Sequence, residues 1–326
     1  MRLEIGDYRL NDHRRLKALF YRSPWLFQAL RFMLSYGAWI LLLRFIYVSI
    51  VTYFNISPQS RLQDISDSIY NYSLSMSGAS TLIFILLLAS LRPLTRFNFQ
   101  DFYQPKILER HWLLGFFRGT LVCGVLIFFF ILAGYYRLIG FYLHPTEAPL
   151  EFAQTLLRVL SILILTYSEG YLFFIKLPEY LHSKMPPKVP PKIPPWISSL
   201  WIALFYCLTK YLQFDLSLTH TACFFSIALS LYSRALNSGH FYEGTGFFSA
   251  VLIIFNPLLS LPIFGSDHFG ILILKPELTL TQDLSPHWIT GGLKGPLCSP
   301  ILQIFFIFDF IRNMMRYKNN RLTGTI

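Results

Sequence analysis

Charge is scarce in this chain. Of its 326 residues 14% are charged and 54% hydrophobic, whereas soluble domains run at roughly 25% charged. That balance excludes an ordinary water-soluble domain as the first reading and makes lipid the expected solvent. Acids are the rarer sign: 17 Asp and Glu stand against 28 Lys and Arg, a net charge of +11. Cysteine is scarce too, at 4 residues. Cys123, Cys207 and Cys223 fall inside apolar runs and Cys298 at the rim of one, with no C-x-x-C spacing, so neither a disulfide framework nor a thiolate zinc site is indicated. A long internal repeat is missing, which weakens a carrier built from two similar halves. A cleavable signal is missing as well. About thirty polar and basic residues precede the first apolar run and no small-residue cleavage site follows it, so the first span is expected to stay.

What the chain has is apolar runs, about eight of them long enough or nearly so to cross a bilayer core of roughly 30 Å. They lie near Phe32 to Phe54, Tyr72 to Leu91, Trp112 to Tyr135, Phe152 to Ile175, Trp196 to Leu212, Leu218 to Leu236, Gly246 to Phe264 and Ser299 to Ile311. The expected fold is therefore all-α: a polytopic membrane helix bundle. Its parts are a basic cytosolic or interfacial arm (1–31), two N-terminal transmembrane helices (32–111), a membrane core (112–314) and a basic cytosolic tail (315–326).

The surplus of positive charge points to topology and not to nucleic acid, because the basic residues cluster in alternate connections. Arg14, Arg15, Lys17 and Arg22 precede the first run; Arg92, Arg96, Lys106 and Arg110 follow the second; Lys176, Lys184, Lys188 and Lys192 follow the fourth; Arg312, Arg316, Lys318 and Arg321 close the chain. Eight spans with both termini in the cytosol satisfy this pattern, and a bacterial cytoplasmic membrane is the expected setting. The bilayer is the one partner that follows directly. The segment MPPKVPPKIPPW, Met185 to Trp196, repeats P-P-K-x and reads as a stiff polyproline II spacer on the cytosolic side. The stretch from Ser266 to Cys298 is expected to pack over the outer face.

One acid breaks the apolar pattern. In TYSEGYLFFI, Thr166 to Ile175, Glu169 sits in a segment otherwise built for lipid, and an isolated carboxylate is costly at that depth. At 100° per residue, Arg158, Ser161, Thr166 and Glu169 fall within about 140° of one helix face, which is expected to turn toward the bundle interior. Gly170 beside the acid permits close approach of another helix. Ser249, Asn256 and Ser260 form a second polar stripe on the seventh span, where Pro257 and Pro262 are expected to bend the helix. Arg158 lies three turns from Glu169, too far to pair with it. Lys210 on the fifth span is a candidate partner for Glu169, with the outer interface its expected destination. His182, His220, His240, His268 and His287 share no face with Glu169 at ligand spacing and are expected to be solvated or interfacial.

The order of these patterns resembles the CPBP family, the CAAX-protease and bacteriocin-processing membrane proteins. That family carries E-E-x-x-x-R on one span, F-x-x-x-H on the next and H-x-x-x-N on a later one. The counterparts here are EGYLFF from Glu169 to Phe174, FYCLT from Phe205 to Thr209 and LIIFN from Leu252 to Asn256. The resemblance implies a CPBP-like membrane core, a water-activating acid at Glu169 and an oxyanion-binding amide at Asn256. It also implies histidines that hold a metal, zinc, or stabilise the oxyanion. Here Gly170 replaces the second acid, Phe174 the arginine, and Thr209 and Leu252 the two histidines, so no metal or other cofactor is expected. The reading is a catalytically degenerate relative that binds a membrane or lipidated peptide or protein. An active glutamate-dependent intramembrane peptidase, a transporter lined by Glu169 and Arg158, and a purely structural membrane protein stay open beside it, as does the oligomeric state.

Overall fold

The computed structural model describes residues 24–53, 81–86, 105–141, 149–178, 194–214, 218–261, 271–276, 287–290 and 295–322. Most of the arm, of the second apolar run, of the proline-rich spacer and of the outer connection lies outside them. The described chain is mostly helical. Its long helices are α1 (Pro24–Tyr53), α2 (Pro105–Leu132), α3 (Pro149–Tyr171), α4 (Pro195–Phe214), α5 (Leu218–Ser238), α6 (Tyr242–Ile253) and α7 (Pro300–Leu322). Prolines open α1, α2, α3, α4 and α7, where the missing N–H costs nothing and the fixed φ suits a first turn.

Two helical stretches, Arg110–Leu132 and Thr155–Lys176, are long and apolar enough to cross a membrane, with mean hydropathies of 2.2 and 1.4. The all-α expectation needs one addition. β1 (Tyr136–Phe141) pairs antiparallel with β2 (Leu272–Pro276), with an irregularity between Leu138 and Gly140. The ribbon ties the connection after α2 to the stretch from Ser266 to Cys298, the one expected to pack over the outer face. The basic tail is no separate segment either: α7 runs on to Leu322, so Arg312, Arg316 and Lys318 are helical residues.

Helix directions follow from contacts between side chains. On α3 and α6, the hydroxyls of Thr166 and Ser249 meet at 2.6 Å, and a methyl added at Gly170 would collide with Thr245 Cγ2; moving up one helix moves down the other, so they are antiparallel. α2 and α6 run parallel. A Cβ at Gly115 would strike the Glu243 carbonyl, one at Gly119 the Phe247 carbonyl and one at Gly246 the Trp112 carbonyl. G-x-x-x-G on α2 therefore lets two backbones touch, a packing device suited to apolar surroundings where small residues replace the hydrophobic drive. α5 and α7 also run parallel: in order along both helices Ser226 meets Gln303, Ser230 and Arg234 donate to Asp309 at 2.6 and 2.8 Å, and Asn237 donates to the Asn313 carbonyl at 2.7 Å. Outside, α2 carries exposed Phe117, Leu121 and Phe128, α4 carries Trp201, Leu204 and Leu208, and α7 carries Ile304 and Phe308.

Two helices loosen into π-turns, at Leu172–Lys176 just after Glu169 and at Ile254–Leu258 around Asn256. The second has a cause in sequence: Pro257 has no N–H to give and its ring presses on the carbonyl four residues back. Such turns are rare and often mark functional positions.

Candidate functional site

Glu169 is buried, and both oxygens of its carboxylate are engaged. Lys210 Nζ of α4 lies 2.8 Å from Oε1 and 2.6 Å from Oε2. Tyr206 Oη, one turn earlier on α4, donates to Oε2 at 3.2 Å. The spacing Tyr206-x-x-x-Lys210 puts both donors on one helix face. The side chains of Lys210 and Glu169 are 1% and 2% exposed, so the pair is sealed from solvent. Two aromatic rings complete the cage, with the ammonium 5.4 Å from the centre of Tyr206 and 5.9 Å from that of Phe224, within reach of a cation–π attraction.

Lys210 therefore overturns an expectation: it does not reach for an interface. Its stem and head are buried in the core because a carboxylate that can neutralise it lies opposite. The sequence held the signal, since Glu169 and Lys210 are opposite charges inside two neighbouring apolar runs, and each is far cheaper to bury in company.

The positions matched to family histidines behave differently. Phe205 and Thr209 sit one residue short of the face that meets the acid. Thr209 bonds back to the Tyr206 carbonyl at 2.7 Å, and Phe205 packs on Phe173 with ring centres 5.8 Å apart. Phe174 is buried between Tyr206 and Tyr232. Leu252 is fully buried in the apolar core. Gly170 does what its size allows and seats Thr245 of α6.

Asn256 does not share the acid's hydrogen bonds. Its Nδ2 donates to the Leu261 carbonyl at 3.3 Å, and its buried Oδ1 has no partner among the described residues. The antiparallel contact of Thr166 with Ser249 sets a common level, from which Glu169 lies three residues toward one end and Asn256 seven toward the other. At 1.5 Å per residue they are about 15 Å apart along the bundle. Asn256 belongs to the ribbon end, where Pro257 and Leu259 carbonyls accept from the Ile271 and Leu274 amides. Arg158, buried, is on α3 eleven residues before the acid, also toward that end.

At the opposite end the structure brings together groups that sequence reasoning kept apart. His111 at the start of α2 and His240 between α5 and α6 have ring centres 4.1 Å apart. Neither is simply solvated. Burial, reinforced by His111 and opposed by Glu243, lowers the His240 pKa to about 4. No group of three His, Cys, Asp or Glu side chains with metal-holding geometry occurs among the described residues. Comparison with family models, curated proteins and solved structures gives no match.

Proposed function

We propose that this is a multi-pass membrane protein on a CPBP-like scaffold whose catalytic centre has become a structural clamp, and that it acts by binding a membrane or lipidated peptide or protein. The observation that carries the reading is the double contact of Lys210 Nζ with Glu169. A general base must have a lone pair free for the proton it abstracts. Here an ammonium and a phenol take three of the carboxylate's roughly four lone-pair sites and seal it from water, and the positions that would hold a metal are Thr209 and Leu252, neither of which replaces an imidazole as a ligand.

The membrane part of the proposal rests on surface and direction. Broad apolar faces such as Phe117, Leu121 and Phe128 on α2 exceed what isolated exposed leucines explain in soluble proteins. The directions of α2, α3, α5, α6 and α7 are those an eight-span chain with both termini on one side requires. Arg118, Arg234, Arg312 and Arg316 meet at the end assigned to the cytosol, as the bias of basic residues toward that side expects.

The test uses the purified full chain in detergent with prenylated and transmembrane peptides, alongside Glu169→Gln. The proposal expects fluorescent peptide to bind the parent chain, and no cleavage above a protein-free blank by either protein. Cleavage that disappears in Glu169→Gln overturns it in favour of a working peptidase.

A further inference from the structure

A second polar site lies at the end of the bundle, among α2, α5, α6 and α7, and shares no residue with the cage around Glu169. It is a cavity of about 430 Å³ lined by Arg118, Arg234, Arg312, Arg316, Glu243 and Asn313, among others. That volume falls within the roughly 300–1,000 Å³ of small-ligand pockets. The two acids nearby are already committed. Asp309, 2% exposed on its side chain, accepts from Ser230 Oγ at 2.6 Å, Arg234 Nε at 2.8 Å and Arg312 Nη2 at 3.1 Å. Glu243 accepts from Arg118 and has Arg234 Nη1 at 3.7 Å. Four guanidiniums against two carboxylates leave two positive charges in excess.

Arg234 is held rigidly, its guanidinium also lying 4.2 Å from the centre of the Phe247 ring. Asp309 thus acts as a positioning residue for two arginines. Arg316 has no ion-pair partner among the described residues. Asn313 is 6% exposed; its Oδ1 and backbone carbonyl accept from Asn237 Nδ2 at 3.2 and 2.7 Å, while its own Nδ2, buried, has no partner among the described residues. Asn237 Oδ1 in the same lining is likewise buried without a partner among the described residues, so the two amides leave one donor and one acceptor spare, and the excess of donors comes from the guanidiniums. The cavity therefore offers donors and positive charge without a matching anion.

We infer that this cavity binds a phosphate group, carried either by a lipid headgroup or by a soluble phosphate. Phosphate suits it because its oxygens accept hydrogen bonds, because guanidinium forks match it two bonds at a time, and because its negative charge, about −1.5 to −2 on a monoester and about −1 on a lipid diester, offsets much of the excess.

The experiment measures thermal unfolding and binding isotherms of the full chain in a neutral detergent. Inorganic phosphate is compared with chloride and with acetate at equal ionic strength, and phosphatidylglycerol with phosphatidylcholine in mixed micelles. The expected result is a rise in Tm with inorganic phosphate, with phosphatidylglycerol, or with both. Inorganic phosphate alone identifies a soluble anion, and phosphatidylglycerol alone a headgroup. Arg316→Ala, which breaks no described ion pair, and Arg118→Ala are each expected to weaken binding by about tenfold. Arg110→Ala, at the same end but outside the cavity, leaves it unchanged. The inference is overturned if neither carrier shifts Tm beyond chloride, if acetate matches phosphate, or if Arg110→Ala weakens binding as much as Arg316→Ala.

Discussion

Two charged regions of this molecule solve opposite problems. In the core, Lys210 and Glu169 bring one charge of each sign to a place without water, and the ammonium and the Tyr206 phenol satisfy the carboxylate from within the protein. At the bundle end, Arg118, Arg234, Arg312 and Arg316 outnumber Glu243 and Asp309, and the surplus lines a cavity. Low dielectric tolerates only a neutral cluster, whereas an open rim tolerates a net field. The comparison teaches where to look for function: a balanced, closed pair holds helices together, and an unbalanced, open one has binding capacity left.

Breaking the balance should have the largest effect. Lys210→Met leaves the Glu169 carboxylate sealed without its cation, an arrangement that costs about 3–5 kcal/mol, read as lost Tm in detergent. The comparison would fail if Lys210→Met left the bundle as stable as before. Next come the close backbone contacts that let both regions exist. Gly119→Leu on α2 must push α6 away, since its new side chain meets the Phe247 carbonyl and not a yielding side-chain tip. Overpacking of this kind costs about 1–3 kcal/mol, and unfolding midpoints of Gly119→Leu against Gly124→Leu, where nothing lies within 4 Å of a Cβ, isolate it. Smaller still is Thr166→Val, which removes the hydroxyl pair with Ser249 and should cost about 1 kcal/mol.

The rim predicts a pH dependence. His240 has its pKa lowered from 6.5 to about 4 by burial first and by His111 second, against Glu243. A base depressed in the folded state binds fewer protons there than in the unfolded chain. Its contribution to stability is thus complete above the ordinary value of 6.5 and is lost as pH falls toward about 4, since the unfolded chain takes up the proton first. Tm measured across that window should slope downward on acidification, and His240→Gln should flatten the slope. An unchanged slope would show that His240 does not titrate as a buried base.

Much of the helical architecture was legible because it rests on apolar runs and prolines, which act locally. Helices α2, α3 and α4 fall where the runs from Trp112, Phe152 and Trp196 place them, and they begin up to two turns earlier, in polar residues that hydropathy ignores. The ribbon was not legible. From Phe141 at the end of β1 to Leu272 at the start of β2 is a separation of 131 residues, and no local pattern announces a pairing at that range. Glu169 stood out because an acid in an apolar run is costly, yet its partner was misplaced. The F-x-x-x-H register drew attention to Phe205 and Thr209, while the face that meets the acid is one residue on, at Tyr206 and Lys210. Asn256 was grouped with Glu169 by motif order, which carries no information on height along the bundle. His111 and His240 meet only because α2 and α6 run parallel from the same end.

The most direct test is a double-mutant cycle on Glu169→Gln and Lys210→Met, followed by thermal unfolding of the purified full chain. If the carboxylate is committed to the ammonium, each single change destabilises strongly and the double variant, with no charge left to bury, recovers most of the loss. Losses that simply add, or a Glu169→Gln protein as stable as the parent, would contradict the account.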